Sequence, residues 1–248
     1  MNRFLRDEYL DAMGIQQWVS RERPATPDTP PEDVTITPAA GRGSSDETTV
    51  SGLGWPALED RVARCTRCAL HETRTRTVFG TGKRTADWLI IGEAPGADED
   101  RQGEPFVGRA GQLLTAMLQA IGYARDEVYI TNILKCRPPG NRDPLPGEVD
   151  CCHDYLERQI KLIGPRLILV VGRIAAQNLL QTDLPIGRLR GSVHRYGDAG
   201  IPLVVTYHPA YLLRSPLEKR KSWDDLQLAQ QVYREVMSAG LSGHMPDK

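Results

Sequence analysis

The sequence predicts an α/β protein of three layers, α/β/α, around a central four-stranded, mainly parallel sheet. Three observations predict it. Apolar runs at 88–91, 128–133, 167–171 and 203–206 look like buried strands, and runs of Val, Ile and Leu are typical of parallel strands covered on both faces. Helical patterns lie between and after them, at 112–121, 148–163, 174–180 and 224–237. Segments rich in glycine, proline and charge follow the strands, where open α/β sheets bind their ligands. The chain has 248 residues, and 40% are hydrophobic, enough for a sizeable core.

Composition divides the chain before that body. Residues 2–20 carry a short amphipathic pattern (Phe4, Leu5, Tyr9, Leu10, Met13, Ile15, Trp18), which reads as a short N-terminal helix, either a docking peptide or packed back on the body. Residues 21–54 are rich in Pro, Thr, Ser, Asp, Glu and Gly and read as a disordered linker. The expected domain covers 55–240, with a disordered tail at 241–248. No run of about 18 apolar residues occurs, so no membrane span is expected. The acidic start lacks the pattern of a signal peptide, which predicts a cytoplasmic protein with reduced or metal-bound cysteines. Residues 1–60 carry 5 Lys and Arg against 11 Asp and Glu, and residues 61–248 carry 26 against 21. A mildly basic body is compatible with a local nucleic-acid patch and equally with ordinary solvated charge.

After the first strand comes Gly92-Glu93-Ala94-Pro95-Gly96, then a loop to Pro105-Phe106-Val107-Gly108-Arg109-Ala110-Gly111. Glu93 leaves a strand end, a position suited to a catalytic carboxylate. The G-x3-G spacing is not a dinucleotide fingerprint, and no phosphate-cradling G-x4-G-K-[ST] loop is present. Phe106 in a polar loop either stacks on a planar ligand or anchors the loop in the core. After the second strand, Asn132 offers a donor and an acceptor to a base edge, or else caps a turn. Lys135, Arg137 and Arg142 surround rigid prolines there, as in a phosphate-contacting loop or a solvated surface. After the fourth strand, His208-Pro209 is followed by Tyr211-Leu212-Leu213-Arg214, an apolar stretch ending in a cation that suits a wedge.

Four cysteines follow the pattern C-x2-C, a long gap, then C-x15-C: Cys65, Cys68, Cys136 and Cys152. Spacing alone leaves an iron–sulfur cluster, zinc and unconnected thiols open. Cys151 is a fifth thiol beside Cys152, and spacing does not choose between them.

Taken together, Gly92-Glu93-Ala94-Pro95-Gly96, the Pro105–Gly111 loop, Asn132 with Lys135-Cys136-Arg137-Pro138-Pro139, and His208 to Arg214 resemble the family 4 uracil-DNA glycosylases, the iron–sulfur members of their superfamily. The resemblance runs from about Cys65 to about Val236. It implies a 4Fe-4S cluster on Cys65, Cys68, Cys136 and Cys152. It implies that Phe106 stacks on a flipped uracil over Gly92, and that Asn132 reads the N3–H and O4 edge. Glu93 would orient a water or stabilise positive charge at C1′, and His208 would act near uracil O2. Leu212, Leu213 and Arg214 are candidates for the wedge. Arg109, Arg137, Arg142 and Lys135 are candidates for phosphate contacts. A covalently trapping branch of the superfamily carries Lys-Arg-Arg-Ile-His after the second strand's motif. This chain has Pro138-Pro139-Gly140-Asn141-Arg142 there, so turnover is expected.

The leader Tyr9 to Trp18 is similar to the N-terminal peptide of the bacterial clamp-loader psi subunit, which implies docking on the chi subunit. The expected partners are therefore uracil-containing DNA and chi, with a monomeric enzyme in the bacterial cytosol or nucleoid. The competing reading is an iron–sulfur damage-binding protein without turnover, or an adaptor tethered to replication.

Overall fold

The computed structural model describes residues 49–242. After a single turn at Val50–Gly52 come α1 (Trp55–Ala63), α2 (Leu70–Thr73), β1 (Thr81–Gly82) and β2 (Trp88–Gly92). Next are α3 (Ala97–Gln102), α4 (Arg109–Ala120), β3 (Tyr129–Asn132), α5 (Pro146–Ile163) and β4 (Leu167–Val171). The chain continues through α6 (Arg173–Leu180), α7 (Ile186–Leu189), β5 (Val193–Tyr196), β6 (Ile201–Thr206), α8 (Pro209–Arg214) and α9 (Lys219–Ser242).

The strands lie in the order β1-β3-β2-β4-β6-β5. β3, β2, β4 and β6 are parallel, and these are the four strands expected from the apolar runs. The sheet is wider than expected, because β1 and β5 add antiparallel edges. Both edges escape a hydrophobic reading for a physical reason. β1 has only two residues, and β5 (Val-His-Arg-Tyr) is largely solvent-facing, as short charged edge strands are.

Alternation along the strands builds two cores. Leu89, Ile91, Ile168, Val170, Leu203 and Val205 face α5 residues such as Leu156 and Ile160. Trp88, Ile90, Leu167, Leu169 and Val204 face Leu114 and Leu118 of α4 and Leu226 and Ala229 of α9. Each large side chain so buried stabilises the fold by about 1.5–3 kcal/mol relative to exposure. A third cluster (Leu53, Leu58, Val62, Phe79, Tyr155) fastens α1 to α5. Leu53 is buried in it, so the packed body begins before the expected boundary at 55. The docking peptide at 2–20, most of the linker at 21–54 and most of the tail at 241–248 fall outside the described residues.

Parallel pairing sets the stage for a site. The register places Gly92 opposite Asn132 and Val171 opposite Thr206, so the segments that follow all emerge at one end of the sheet. No helix of the described residues is long and apolar enough to cross a membrane.

α9 is fixed to that sheet end by charge as well as packing. Asp225 is fully buried and accepts from Arg190 Nε at 3.0 Å, Arg190 Nη2 at 2.9 Å and Gly191 N at 3.2 Å. Removing one partner of a buried pair strands the other charge, at a cost of about 3–5 kcal/mol. Asp225→Ala is therefore expected to lower the unfolding free energy by about that amount. Chemical denaturation checks this, and the double variant Arg190→Ala/Asp225→Ala should lose less than the sum of the singles.

Candidate active site

One cavity of about 400 Å³ opens at the carboxyl ends of the parallel strands. Glu93, Phe106, Asn132, Arg142, His208 and Arg214 line it, with Glu99, Asn141 and Tyr211 among their neighbours. Sequence reasoning missed Glu99, Asn141 and Tyr211 as lining residues. Only Tyr211 had a usable signal, its place in the His208 motif.

Asn132 is the last residue of β3 and is 2% exposed. Its side-chain Oδ1 is buried and has no hydrogen-bond partner. Such an atom costs about 1–3 kcal/mol when nothing binds it, which marks it as an acceptor kept for a ligand. Gly92 lies opposite. A Cβ there would sit 2.4 Å from Asn132 Oδ1 and 2.5 Å from Phe106 Cζ, so only glycine admits both groups.

Phe106 is 6% exposed, packs in the core as a loop anchor does, and also lines the cavity. Its φ of 55° is left-handed, an outlier for a bulky residue. The surrounding loop holds it there. Glu99 accepts from Gly96 N at 3.1 Å, Val107 N at 2.9 Å and Gly108 N at 3.0 Å. Arg125 donates to the Pro105 carbonyl. Gly111 lies so close that a Cβ would fall 1.7 Å from the Phe106 carbonyl oxygen. The Phe106 and His208 rings are 5.6 Å apart and inclined by 32°. At that separation the two rings pack against each other and close one side of the cavity, with Phe106 as its aromatic wall.

His208 precedes α8, and its Nδ1 accepts from Ala210 N at 3.1 Å. The main-chain N–H can only donate, so Nδ1 is unprotonated and Nε2 carries the hydrogen. Burial, aided by Arg214, lowers the His208 pKa to about 4. Glu93 moves the other way, to about 7, through burial first and Asp143 second, against an opposing pull from Arg173. Asp143 and Arg173 are themselves paired at 2.9 Å.

The other sequence candidates divide. Leu213 and Arg214 are exposed at α8, whereas Leu212 is 1% exposed and packs with Leu114 and Leu226. A side chain committed to the core is not free to enter a duplex, so Leu212 is withdrawn from the wedge. Lys135 is also corrected. It is buried, with its ammonium turned inward, and does not reach a phosphate. Arg137 bonds Asn141 Oδ1 at 2.7 Å. Arg142 grips the buried Glu148 carboxylate through two bonds, 2.9 and 2.6 Å. Arg109 is exposed at the start of α4, outside the cavity lining.

The cysteines gather on the α5 side of the sheet. Cys65 and Cys68 flank the turn between α1 and α2, Cys136 follows β3, and Cys152 is buried on α5. Cys136 lies within the electrostatic reach of Cys68 and Cys65, and Cys152 within that of Cys136 and Cys68. Burial raises the thiol of Cys136 and pushes that of Cys152 up to about 12. Arg74 donates to Cys136 Sγ at 3.1 Å. Cys151 donates to the Arg67 carbonyl, inside the Cys65–Cys68 turn, at 3.2 Å and lies within the electrostatic reach of Cys68. Among the described residues no three His, Cys, Asp or Glu close around a single metal ion.

A cavity with an aromatic wall, an orphan amide acceptor and a carboxylate, at the carboxyl end of a parallel sheet, suits a flat hydrogen-bonding ring. Comparison with known proteins supplies the family. The profile of the uracil DNA glycosylase superfamily matches residues 79–227. The type-4 uracil-DNA glycosylase of Archaeoglobus fulgidus is 49% identical over 162 residues, 62% of this chain and 81% of the relative. That of Pyrobaculum aerophilum is 41% identical over 177 residues, 69% and 90%. That of Thermotoga maritima is 42% identical over 160 residues, 64% and 82%. The chain belongs to the uracil DNA glycosylase superfamily, and within it to the type-4 uracil-DNA glycosylases.

Proposed function

We propose that this protein flips uracil out of DNA and hydrolyses its N-glycosidic bond with turnover, leaving an abasic site for base-excision repair. The observation that carries the reading is the unpartnered, buried Asn132 Oδ1 in the cavity. Uracil presents an N3–H donor to it and an O4 acceptor to the Asn132 amide N–H. Cytosine reverses both polarities, and a mispaired edge in a dry pocket is rejected strongly.

Bond cleavage leaves positive charge on the sugar and negative charge on the departing base. His208 Nε2–H is the donor for uracil O2. It works as a neutral imidazole, since its pKa near 4 keeps it unprotonated at neutral pH. A donor aimed at charge that grows in the transition state contributes about 2.7–4 kcal/mol to the barrier. Glu93, as carboxylate, orients the attacking water and offsets the sugar charge. Phe106 stacks on the flipped ring, whose extrusion costs a few kcal/mol. Leu213 and Arg214 fill the vacated stack, and Arg109, Arg137 and Arg142 are the proposed phosphate contacts. In Arg137 and Arg142 only donors not engaged by Asn141 and Glu148 are available.

Cys65, Cys68, Cys136 and Cys152 would hold a 4Fe-4S cluster. The donor set supports this: four thiols from three segments, with neither carboxylate nor imidazole among them. The burial of Cys152 and its place within the electrostatic reach of both Cys136 and Cys68 favour Cys152 as the fourth ligand. When bound, such a cluster would cross-link the α1–α2 turn, the segment after β3, and α5. Residues 2–20 are proposed to dock on the clamp-loader chi subunit, on the strength of the sequence resemblance alone.

Three outcomes test these proposals. On a labelled oligonucleotide with one uracil, the protein should give alkali-dependent cleavage, and His208→Ala should slow it about 10²–10³-fold. The rate should fall about tenfold per pH unit below 7, where Glu93 protonates, and level off above. Glu93→Gln should abolish this limb. A limb that persists, or one removed by His208→Asn, overturns the assignment. Second, Cys152→Ser should lose the cluster's visible absorbance while Cys151→Ser retains it. Third, chi should retain the full-length chain in a pull-down and release the Met13→Ala/Ile15→Ala/Trp18→Ala variant; equal retention removes the docking proposal.

A further inference from the structure

Lys135 has no part in the mechanism above, yet it is the most completely enclosed charge near the site. Its side chain folds back across its own turn. Nζ lies 2.7 Å from each of Thr131 Oγ1, the Asn132 main-chain oxygen and Gln159 Oε1. All three oxygens accept. The Thr131 hydroxyl hydrogen is directed to the Phe79 carbonyl at 2.9 Å. Gln159 is oriented by its Nε2, which donates to the same carbonyl at 2.9 Å. The third partner is a peptide carbonyl. Three acceptors require three N–H bonds, so the group is an ammonium.

This cation is 1% exposed, and among the described residues no carboxylate pairs with it. A buried charge surrounded by neutral oxygens alone is strongly unfavourable. Burial pulls its pKa down to about 7, against which Cys152 and Cys136 favour the charged form. Cys136 is its neighbour in the chain, and the Lys135 main chain bonds Cys152. As thiolates on an iron–sulfur core, these two belong to a unit of net negative charge. Arg74 also approaches Cys136, but from the outer side, and it makes no contact with Asn132.

We propose that Lys135 is a positioning residue that joins the cluster to the uracil-reading amide. Its ammonium is the counter-charge of the cluster, and its bond to the Asn132 carbonyl holds that residue at the end of β3. Cluster, ammonium and base reader then form one electrostatic unit, and cluster occupancy sets the pocket's order through a single side chain. The inference rests on the uracil and cluster readings given above.

The test uses the holoenzyme and Lys135→Met, which has similar length and no charge. At equal iron content, the variant's cluster should have a more negative midpoint potential than wild type, because reduction loses its neighbouring cation. Its KM for a uracil oligonucleotide should rise at least tenfold, with kcat changed less. Coupling is reciprocal. Saturating free uracil, a neutral ligand, should therefore shift the wild-type potential, and this measurement stands even where the Met variant does not fold. An unchanged potential in Lys135→Met overturns the counter-charge role. Uracil that binds in equilibrium dialysis without moving the wild-type potential overturns the coupling. Wild-type holoenzyme that binds no uracil removes the uracil reading itself, and with it the coupling, while the Lys135→Met potential still decides the counter-charge.

Discussion

The pairing of Gly92 with Asn132 across β2 and β3 is the constraint on which the site depends. It brings a residue without a side chain against an amide whose buried oxygen is left unpaired. The missing Cβ is the space into which the Phe106 ring and the amide both fit. A shift of one residue in this register would turn Asn132 to the other face of the sheet. The continuous apolar faces of the parallel strands forbid that shift, since both cores are filled by residues of fixed parity. The hydrophobic core therefore determines where the hydrogen-bonding edge of the pocket lies.

One physical cause sets both ionisable groups of the slot. Burial raises Glu93 to about 7 and lowers His208 to about 4, so each is driven toward its neutral form. The consequences differ. For His208 neutrality persists across the physiological range, and the bond from Ala210 N decides which nitrogen keeps the hydrogen. For Glu93 the two forms are nearly balanced near neutral pH, so small electrostatic changes decide its charge. The Asp143–Arg173 pair beside it acts in opposite senses, Asp143 upward and Arg173 downward. Positive charge arriving on a substrate sugar would favour the carboxylate, as a group stabilising a transition state requires.

Much of this was legible before any coordinates, and the reasons are specific. β2, β3, β4 and β6 are almost wholly buried, and β2, β4 and β6 carry the runs of Val, Ile and Leu that such burial selects. The chemistry-bearing residues sit at strand ends, which the topology of parallel sheets fixes. What remained illegible depends on three-dimensional partners. Leu212 and Leu213 are neighbours in sequence, yet helical geometry sends one to the core and one to solvent. Lys135 reads as one of three surface cations, because nothing local reveals that Gln159, 24 residues away, waits for its ammonium. Glu99 reads as part of an acidic run, while its work is to bind three main-chain N–H groups of the Phe106 loop.

The loop anchors bear on how the slot discriminates. A pocket rejects a wrong hydrogen-bonding edge only if its own groups cannot turn to accommodate it. Asn132 is held by the sheet through Gly92, and its neighbour Ile133 donates to the Gly92 carbonyl at 3.0 Å. The Phe106 loop is held by Glu99 and Arg125, and the Pro138–Arg142 wall by the bidentate Arg142–Glu148 pair. Glu99 and Arg142 border the cavity, and each is committed to a polar contact with backbone or with a buried carboxylate. An amide flip of Asn132 would put two N–H hydrogens where its buried, unpaired oxygen now lies and so invert the edge that the pocket reads. Discrimination here resides in the stiffness of the frame around one amide, and that stiffness comes from residues outside the reaction.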